Sequence, residues 1–339
     1  GPVADRAVFH CDNAYFLEHV EIASYRCKTH TQSHTAFRGF GGPQGVIVGE
    51  EIIEQIARHL GLPAHEVRER NFYREGQATH YDQPVTGNHM HELWAQALER
   101  SGFPARRAQV AAFNAAHRHS KRGIAITPIK FGISFNKTEY NQAGALLHIY
   151  TDGSIQLNHG GTEMGQGLHT KMLAVAARTL GVSAARLRIM PTSTDKVPNT
   201  SATAASTGAD LNGQAVKAAC ETLIARLRPV AANLLHGDAD QVEFGDDAAF
   251  LRSAPDARVD FVTLVKAAYA QRVSLSATGY YRTPGLRWNP ATGKGHPFHY
   301  FAFGAAVCEL EVDGDTGVHR LLRVDILHDV GDSLNPGID

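Results

Sequence analysis

Three stretches rich in glycine and other small residues carry the side chains that could do chemistry. Residues 35–45 read T-A-F-R-G-F-G-G-P-Q-G, residues 160–167 read G-G-T-E-M-G-Q-G, and residues 198–208 read P-N-T-S-A-T-A-A-S-T-G. Closely spaced glycines let a backbone take positive φ and come near a ligand. A turn that opens a helix also offers free N–H groups to an anion or a polar ring. A turn that only reverses the chain has no use for a charge and two rings, yet Arg38 stands between Phe37 and Phe40. Three such loops, each followed by a helical pattern, suit convergence on one large polar ligand. None continues into G-K-[ST], and none has the G-x-G-x-x-G spacing, so neither a phosphate P-loop nor a dinucleotide fingerprint is present.

The elements that must hold these loops follow from periodicity and punctuation. Ala7–Phe16 and His19–Cys27 read as two strands, the second by alternation of Val20 and Ile22 with polar or small neighbours. Helices are expected over Gln44–Leu60 with Gly61 at the end, from Pro63, over His91–Arg100 and over Pro104–His117. Ile52, Ile56 and Leu60 recur at four-residue spacing and read as core. The texture changes at Lys121. Gly123–Phe135 reads as a strand, Ala145–Asn158 as a hairpin around T-D-G-S, and Leu168–Leu180 and Ala209–Leu235 as helices. A charged, loop-rich stretch at 237–258 leads to a helix over Phe261–Arg272, and residues 298–312 and 317–328 make a last hairpin. The pattern predicts an α+β fold of mixed sheets with packed helices, divided near residue 120 into domains 1–119 and 120–339.

Composition excludes several classes of function. With 339 residues, 43% of them hydrophobic, the chain can bury a sizeable core, and its net charge of −1 leaves no basic footprint for nucleic acid or an anionic membrane. No apolar run approaches the length that spans a bilayer. The opening G-P-V-A-D-R carries no signal peptide and reads as a cut or processed start. Cys11, Cys27, Cys220 and Cys308 lack C-x-x-C spacing, which argues against zinc, iron–sulfur or disulfide frameworks and fits a reducing cytoplasm. The His89/His91 and His117/His119 pairs lie in polar stretches and read as solvated surface.

T-A-F-R-G-F-G-G-P-Q, K-F-G-I-S-F (130–135), N-Q-A-G-A-L (141–146), G-G-T-E-M-G-Q-G-L-H-T-K-M (160–172) and the 198–208 loop occur in the order found in one family. The chain resembles the molybdenum-cofactor subunit of the xanthine dehydrogenase and aldehyde oxidase family, from Asp5 to Asp339. The resemblance implies two molybdopterin-binding domains. It places Arg38 and Ala205 near the molybdenum, with no side chain as a direct metal ligand, and Phe37, Gly39, Met164, Gly165, Gln166, Ala204, Ser206 and Thr207 along the cofactor. It implies that Phe40 and Phe135 sandwich a flat heterocycle, a geometry aromatic contacts favour. Arg6 is implied to face a purine oxygen and stabilise the charge that builds there. Asn136 is implied to lie next to substrate, where the family usually has threonine. Cys27 in S-Y-R-C-K is superficially similar to a copper-bridging cysteine loop, but it precedes the cofactor loop and reads as a strand cysteine.

The resemblance further implies hydroxylation of purines, hypoxanthine to xanthine to urate, with water as oxygen source. Electrons would leave through [2Fe–2S] clusters and FAD to NAD, all on a partner subunit or another part of a longer enzyme, giving a hetero-oligomer. Two alternatives stand beside it: a related hydroxylase for aldehydes or other N-heterocycles, and a non-catalytic cofactor-binding fragment. The family's G-x-G-E and G-G-K-E-type segments, each with a functional glutamate, do not occur in the 339 residues. The chain therefore corresponds to the central part of the catalytic subunit, with the C-terminal part of its second domain missing. By itself, and supplied with cofactor, it is expected to make no urate from xanthine; urate formation in a spectrophotometric assay would overturn that.

Overall fold

The computed structural model describes residues 1–337 apart from Thr35 and Pro198. The first residue of the 35–45 stretch, the first of the 198–208 stretch and the terminal Ile338 and Asp339 therefore lie outside the described residues. The chain folds as two compact units, Gly1–Asn136 with Leu286–Gly331, and Lys137–Gly285 with Asp332–Asp339. The division does not fall near residue 120, because the strand that starts there pairs with residues near 300–313 and belongs to the first unit.

The first unit opens with helix α1 (Pro2–His10), not a strand. Proline at the first helical turn and Asp5 at its positive end favour this helix, and Arg6, Phe9 and His10 share its buried face. The segment read as a second strand, residues 19–27, has no regular structure; its alternation is real, but no strand pairs with it, and Cys27 is exposed. Helix α2 (Gly42–Leu60) ends in a left-handed Gly61, as its punctuation predicts. Helices α3 (Ala64–Arg70), α4 (Met90–Arg100) and α5 (Phe103–Ala116) follow close to their expected bounds.

The face that α2 buries corrects the sequence reading. Gly42, Gly45, Gly49, Ile53 and Ala57 are buried, whereas Ile52, Ile56 and Leu60 are 55%, 42% and 57% exposed. The reason is backbone contact. A Cβ at Gly41, Gly45 or Gly49 would lie 1.9, 2.1 or 2.3 Å from the carbonyl oxygen of Val3, Ala7 or Cys11. Glycine every fourth residue lets α2 lie directly on the main chain of α1 and of Cys11 just beyond it.

Strand β1 (Ser120–Ile133) leads to the second unit, where β2 (Gln142–Ile149) and β3 (Ile155–His159) form the expected hairpin. Helix α6 (Leu168–Leu180) carries the chain to β4 (Leu187–Ile189), which pairs parallel with β3. Helix α7 (Gly208–Leu235) fills the core with Leu211, Val216, Cys220, Leu223 and Leu227. The charged 237–258 stretch is not loop; it is a small antiparallel sheet of β5 (Val242–Gly245), β6 (Ala248–Leu251) and β7 (Ala254–Asp260). Strands β5 and β6 are too short, and β7 is too exposed, to show a hydrophobic period. Asp260 caps α8 (Phe261–Ala270), accepting from Thr263 N. Strand β8 (Ser276–Arg282), which sequence reading missed, joins the other edge of β2, giving the order β4-β3-β2-β8.

The chain then returns to the first unit. A short ribbon of β9 (Arg287–Asn289) and β10 (Lys294–His296) precedes β11 (Tyr300–Asp313) and β12 (His319–His328). Strand β11 lies between β1 and β12, and its register with β1 runs unbroken from Ser120↔Asp313 to Ile133↔Tyr300. An added methyl at the α1–α2 contact has nowhere to go. Gly45→Ala should cost about 1–3 kcal/mol, read as a lower denaturant midpoint; an unchanged midpoint would mean the helices separate freely.

Candidate functional site

In the first unit, three pieces meet around Arg6. Its guanidinium is buried and donates to Ser134 O at 2.7 Å and to Gly132 O. It lies 4.9 Å from the Phe131 ring centre and 4.7 Å from that of Phe298, while its Nε has no partner. Burial lowers its pKa to about 10, with Tyr81 opposing, so it stays charged at neutral pH. His10 accepts from Gly132 N through Nε2 at 3.0 Å, which leaves Nδ1 as the protonated nitrogen facing Arg6 O at 3.0 Å. Burial holds His10 well below the usual histidine range. The end of β1 is thus clamped from α1 by two side chains.

That clamp sets the next residues. Ser134 is buried with φ 143° and receives His299 N on its Oγ at 3.1 Å. Phe135 and Asn136 follow, both half-buried. The 37–42 turn sits on the same ground: a Cβ at Gly42 would meet Phe131 at 2.4 Å, and one at Gly41 would meet Val3 O. Phe40 N bonds to Phe37 O at 2.8 Å, and Phe40 itself holds φ 53°. A bulky residue in that region is strained, which marks a position the surroundings enforce. Phe37 and Arg38 are exposed, and Gly39, at φ 96°, and Phe40 are half-buried. Arg6, Phe40, Phe135 and Asn136, predicted to face substrate, are therefore carried by three adjoining segments of one unit.

The same unit holds a buried ion pair, Lys130 Nζ to Asp12 Oδ2 at 3.2 Å, with Tyr73 Oη donating to the same carboxylate oxygen at 2.7 Å. Burial lowers the Lys130 pKa, and Asp12 opposes the shift. Lys130 and Ser134 lie in the K-F-G-I-S-F motif without a role assigned from sequence, and Asp12 and His10 in no motif; the roles of all four appear only once β1 is laid beside α1.

In the second unit the two remaining loops pack together. Thr203 Oγ1 accepts Thr162 N at 2.8 Å, Thr192 Oγ1 donates to Gly161 O at 3.0 Å, and Thr200 Oγ1 accepts Gly144 N at 3.3 Å. Ala205 and Ser206 take φ 56° and 60°, and Thr207 turns its hydroxyl to Ala204 O at 3.0 Å just before α7. Met164, Gly165 and Gln166 lie on one of these loops and Ala204–Thr207 on the other. Met164 is 62% exposed. The Gln166 amide is folded into its own loop, Oε1 accepting Met164 N at 2.6 Å and Nε2 donating to Thr162 O at 2.9 Å.

Two histidines flank this loop, and sequence reading passed over both. His159 and His169 stand edge to face, 5.2 Å between ring centres. His159 Nδ1 accepts Gly161 N at 3.1 Å, so its proton sits on Nε2, which is buried without a partner. His169 Nε2, Asn158 Oδ1 and Asn212 Oδ1 are buried and unpartnered as well. Such groups are costly unless something satisfies them. Among the described residues, no group of three or more His, Cys, Asp or Glu could hold a metal ion.

The family description "Molybdopterin cofactor-binding domain" matches residues 1–72 and, as a second domain of that kind, residues 96–339. The chain belongs to the molybdopterin cofactor-binding domain family. Xanthine dehydrogenase/oxidase of Gallus gallus is 48% identical over 337 residues, 99% of this chain and 23% of that protein. Aldehyde oxidase 2 of Cavia porcellus is 45% identical, over 99% of this chain and 24% of its own length. This molybdopterin-binding chain thus spans about a quarter of the curated relatives it matches. Its fold is also that of quinoline 2-oxidoreductase from Pseudomonas putida 86, at TM-score 0.82 and 22% identity, covering 99% of this chain and 43% of that one.

Burial lowers the His159 pKa to about 4, with His169 adding to the effect and Glu163 opposing it. Between pH 6.5 and 4 the unfolded chain carries a proton that folded His159 does not, so stability rises with pH across that window and falls on acidification. Full loss from this residue is on the order of 3 kcal/mol. His159→Gln, which can still accept Gly161 N–H, should flatten the slope of denaturant midpoint against pH between 6.5 and 4. An unchanged slope would mean His159 does not titrate alone there.

Proposed function

We propose that this chain is the molybdenum-cofactor-binding portion of a purine hydroxylase of the xanthine dehydrogenase type. The residues fit a molybdenum–pterin group. The partnerless Nε2 atoms of His159 and His169, and the Oδ1 atoms of Asn158 and Asn212, are buried beside the second unit's loops. A pterin edge presents alternating donors and acceptors, which Gln166 can match with both kinds of group. Met164, Gly165, Gln166 and Ala204–Thr207 would hold the cofactor. When bound, the cofactor supplies two-electron oxidation chemistry, its sulfur ligands making protein ligands to the metal unnecessary.

The chain's own residues supply binding and electrostatics. Phe40 and Phe135 offer ring faces to a flat heterocycle. Arg6 offers a charge already desolvated and fixed in place, the condition under which a cation stabilises a developing anion most strongly. Asn136 adjoins Phe135 and presents an amide to the same substrate. Iron–sulfur clusters, FAD and the NAD that accepts electrons lie on other parts of the enzyme or on a partner subunit, in the cytoplasm. Among the described residues no helix is long and apolar enough to cross a membrane.

Arg6 carries the purine reading, since aldehydes lack the ring oxygen it would face. Identity to an aldehyde oxidase at 45% favours a second reading, a hydroxylase of aldehydes or other N-heterocycles. In the full-length enzyme, Arg6→Met should lower xanthine kcat/KM by about 2–4 kcal/mol of transition-state stabilisation and leave aldehyde turnover much less affected. Equal losses for both substrates, with a fall in melting temperature, would assign Arg6 to the fold alone.

Phe40→Ala separates wall from core. As a wall it should raise KM for xanthine by an amount worth about 0.5–1.5 kcal/mol, with molybdenum content unchanged. A metal-depleted protein that melts early would make Phe40 a packing residue.

A further inference from the structure

The Gly-rich loop before α6 was expected to leave N–H groups free for a ligand, and the structure fills them from within. Glu163 Oε1 accepts Gly165 N at 2.9 Å and Gly167 N at 3.0 Å, while its Oε2 accepts His169 N at 3.0 Å. Gly167 is the N-cap of α6 at φ 73° and has no side chain to cap with. The carboxylate four residues earlier does that work, and its negative charge meets the positive end of the helix dipole. The His169 N–H bond, helped by those of Gly167 and Gly165, holds the Glu163 pKa below the usual carboxylate range against the cost of burial. A second side chain crosses the loop in the other direction: Gln166 closes on Met164 N and Thr162 O. Its bonds join neutral groups, the weaker kind.

We propose that Glu163 is a positioning residue for the cofactor. Its carboxylate occupies the amino end of α6 and fixes the 162–167 loop before any ligand arrives. The helix end is then not the anion site, and Gln166, on its weaker bonds, is the side chain that turns from the loop to the pterin edge. The inference rests on the cofactor reading above.

The test uses the full-length enzyme and measures molybdenum per protein and the melting temperature of the cofactor-free form. Glu163→Ala frees three amides; it should keep a melting temperature within a few degrees of the parent and lose at least fivefold in molybdenum content. Sodium formate added during cofactor loading supplies a small carboxylate for the freed amides and should restore at least half of the loss in a concentration-dependent way. Glu163→Gln accepts with one oxygen but sets an NH2 against an N–H, and should fall between the two.

Full molybdenum content in Glu163→Ala would overturn the proposal. So would a loss that formate leaves untouched. Should Glu163→Ala fail to fold, Glu163→Gln decides, since full loading in that variant overturns it equally. A parent enzyme that itself holds no molybdenum would instead sink the cofactor reading, whatever Glu163 does.

Discussion

Two main chains in contact set the geometry of the first unit. Glycines at 41, 45 and 49 place α2 against the carbonyl oxygens of Val3, Ala7 and Cys11, with no side chain between them. The contact is steric and therefore unforgiving. It fixes the height of α1 over β1, and with it where the Arg6 guanidinium meets the carbonyls of Gly132 and Ser134. The same glycine row begins in the turn that carries Arg38 and Phe40. Loop and clamp are thus two ends of one helix contact.

The hydrophobic core of the unit, which includes Phe9, Ile53, Trp94 and Phe303, also encloses buried charges. Asp12, Lys130 and Tyr73 form a dehydrated cluster, and Glu50 joins Tyr15, Asn13 and Arg68 in another. Buried ion pairs add little net stability compared with hydrophobic packing, but removing one partner is costly because the other is left uncompensated. Such clusters make a poor glue and a good jig. They tolerate one arrangement of α1, α2, α3 and β1, and the half-buried Phe135 and Asn136 inherit it.

Much of this was readable from sequence, and the failures have physical causes. Gly61 and Gly181 announced helix ends and stand there in left-handed conformation. The T-D-G-S hairpin and the helices over 168–180 and near 209–235 were legible from turn chemistry and period. Helix α1 was not, because its buried face contains Arg6 and His10, whose burial depends on partners 120 and more residues away. The face of α2 was misread because hydropathy gives glycine no weight, while backbone contact gives it all. Within the candidate site, residue identities came from motif order, whereas the roles of Glu163, His159 and Ser134 depend on φ angles and orphaned atoms that no pattern records.

The first unit is interrupted in sequence, and that has a consequence for the order of assembly. Strand β1 ends at Ile133, while its partner begins at Tyr300. During synthesis at about 5–20 residues per second, β1 waits roughly 10–40 s for the strand that completes its sheet. Throughout that interval it offers an unpaired edge. Residues 137–285 of the second unit emerge meanwhile and hold that unit's core hairpin, helices and small sheet. Once folded, they replace a long slack loop by a compact spacer, which lowers the entropy cost of bringing β1 and β11 together. The second unit thus serves the first as a scaffold in time.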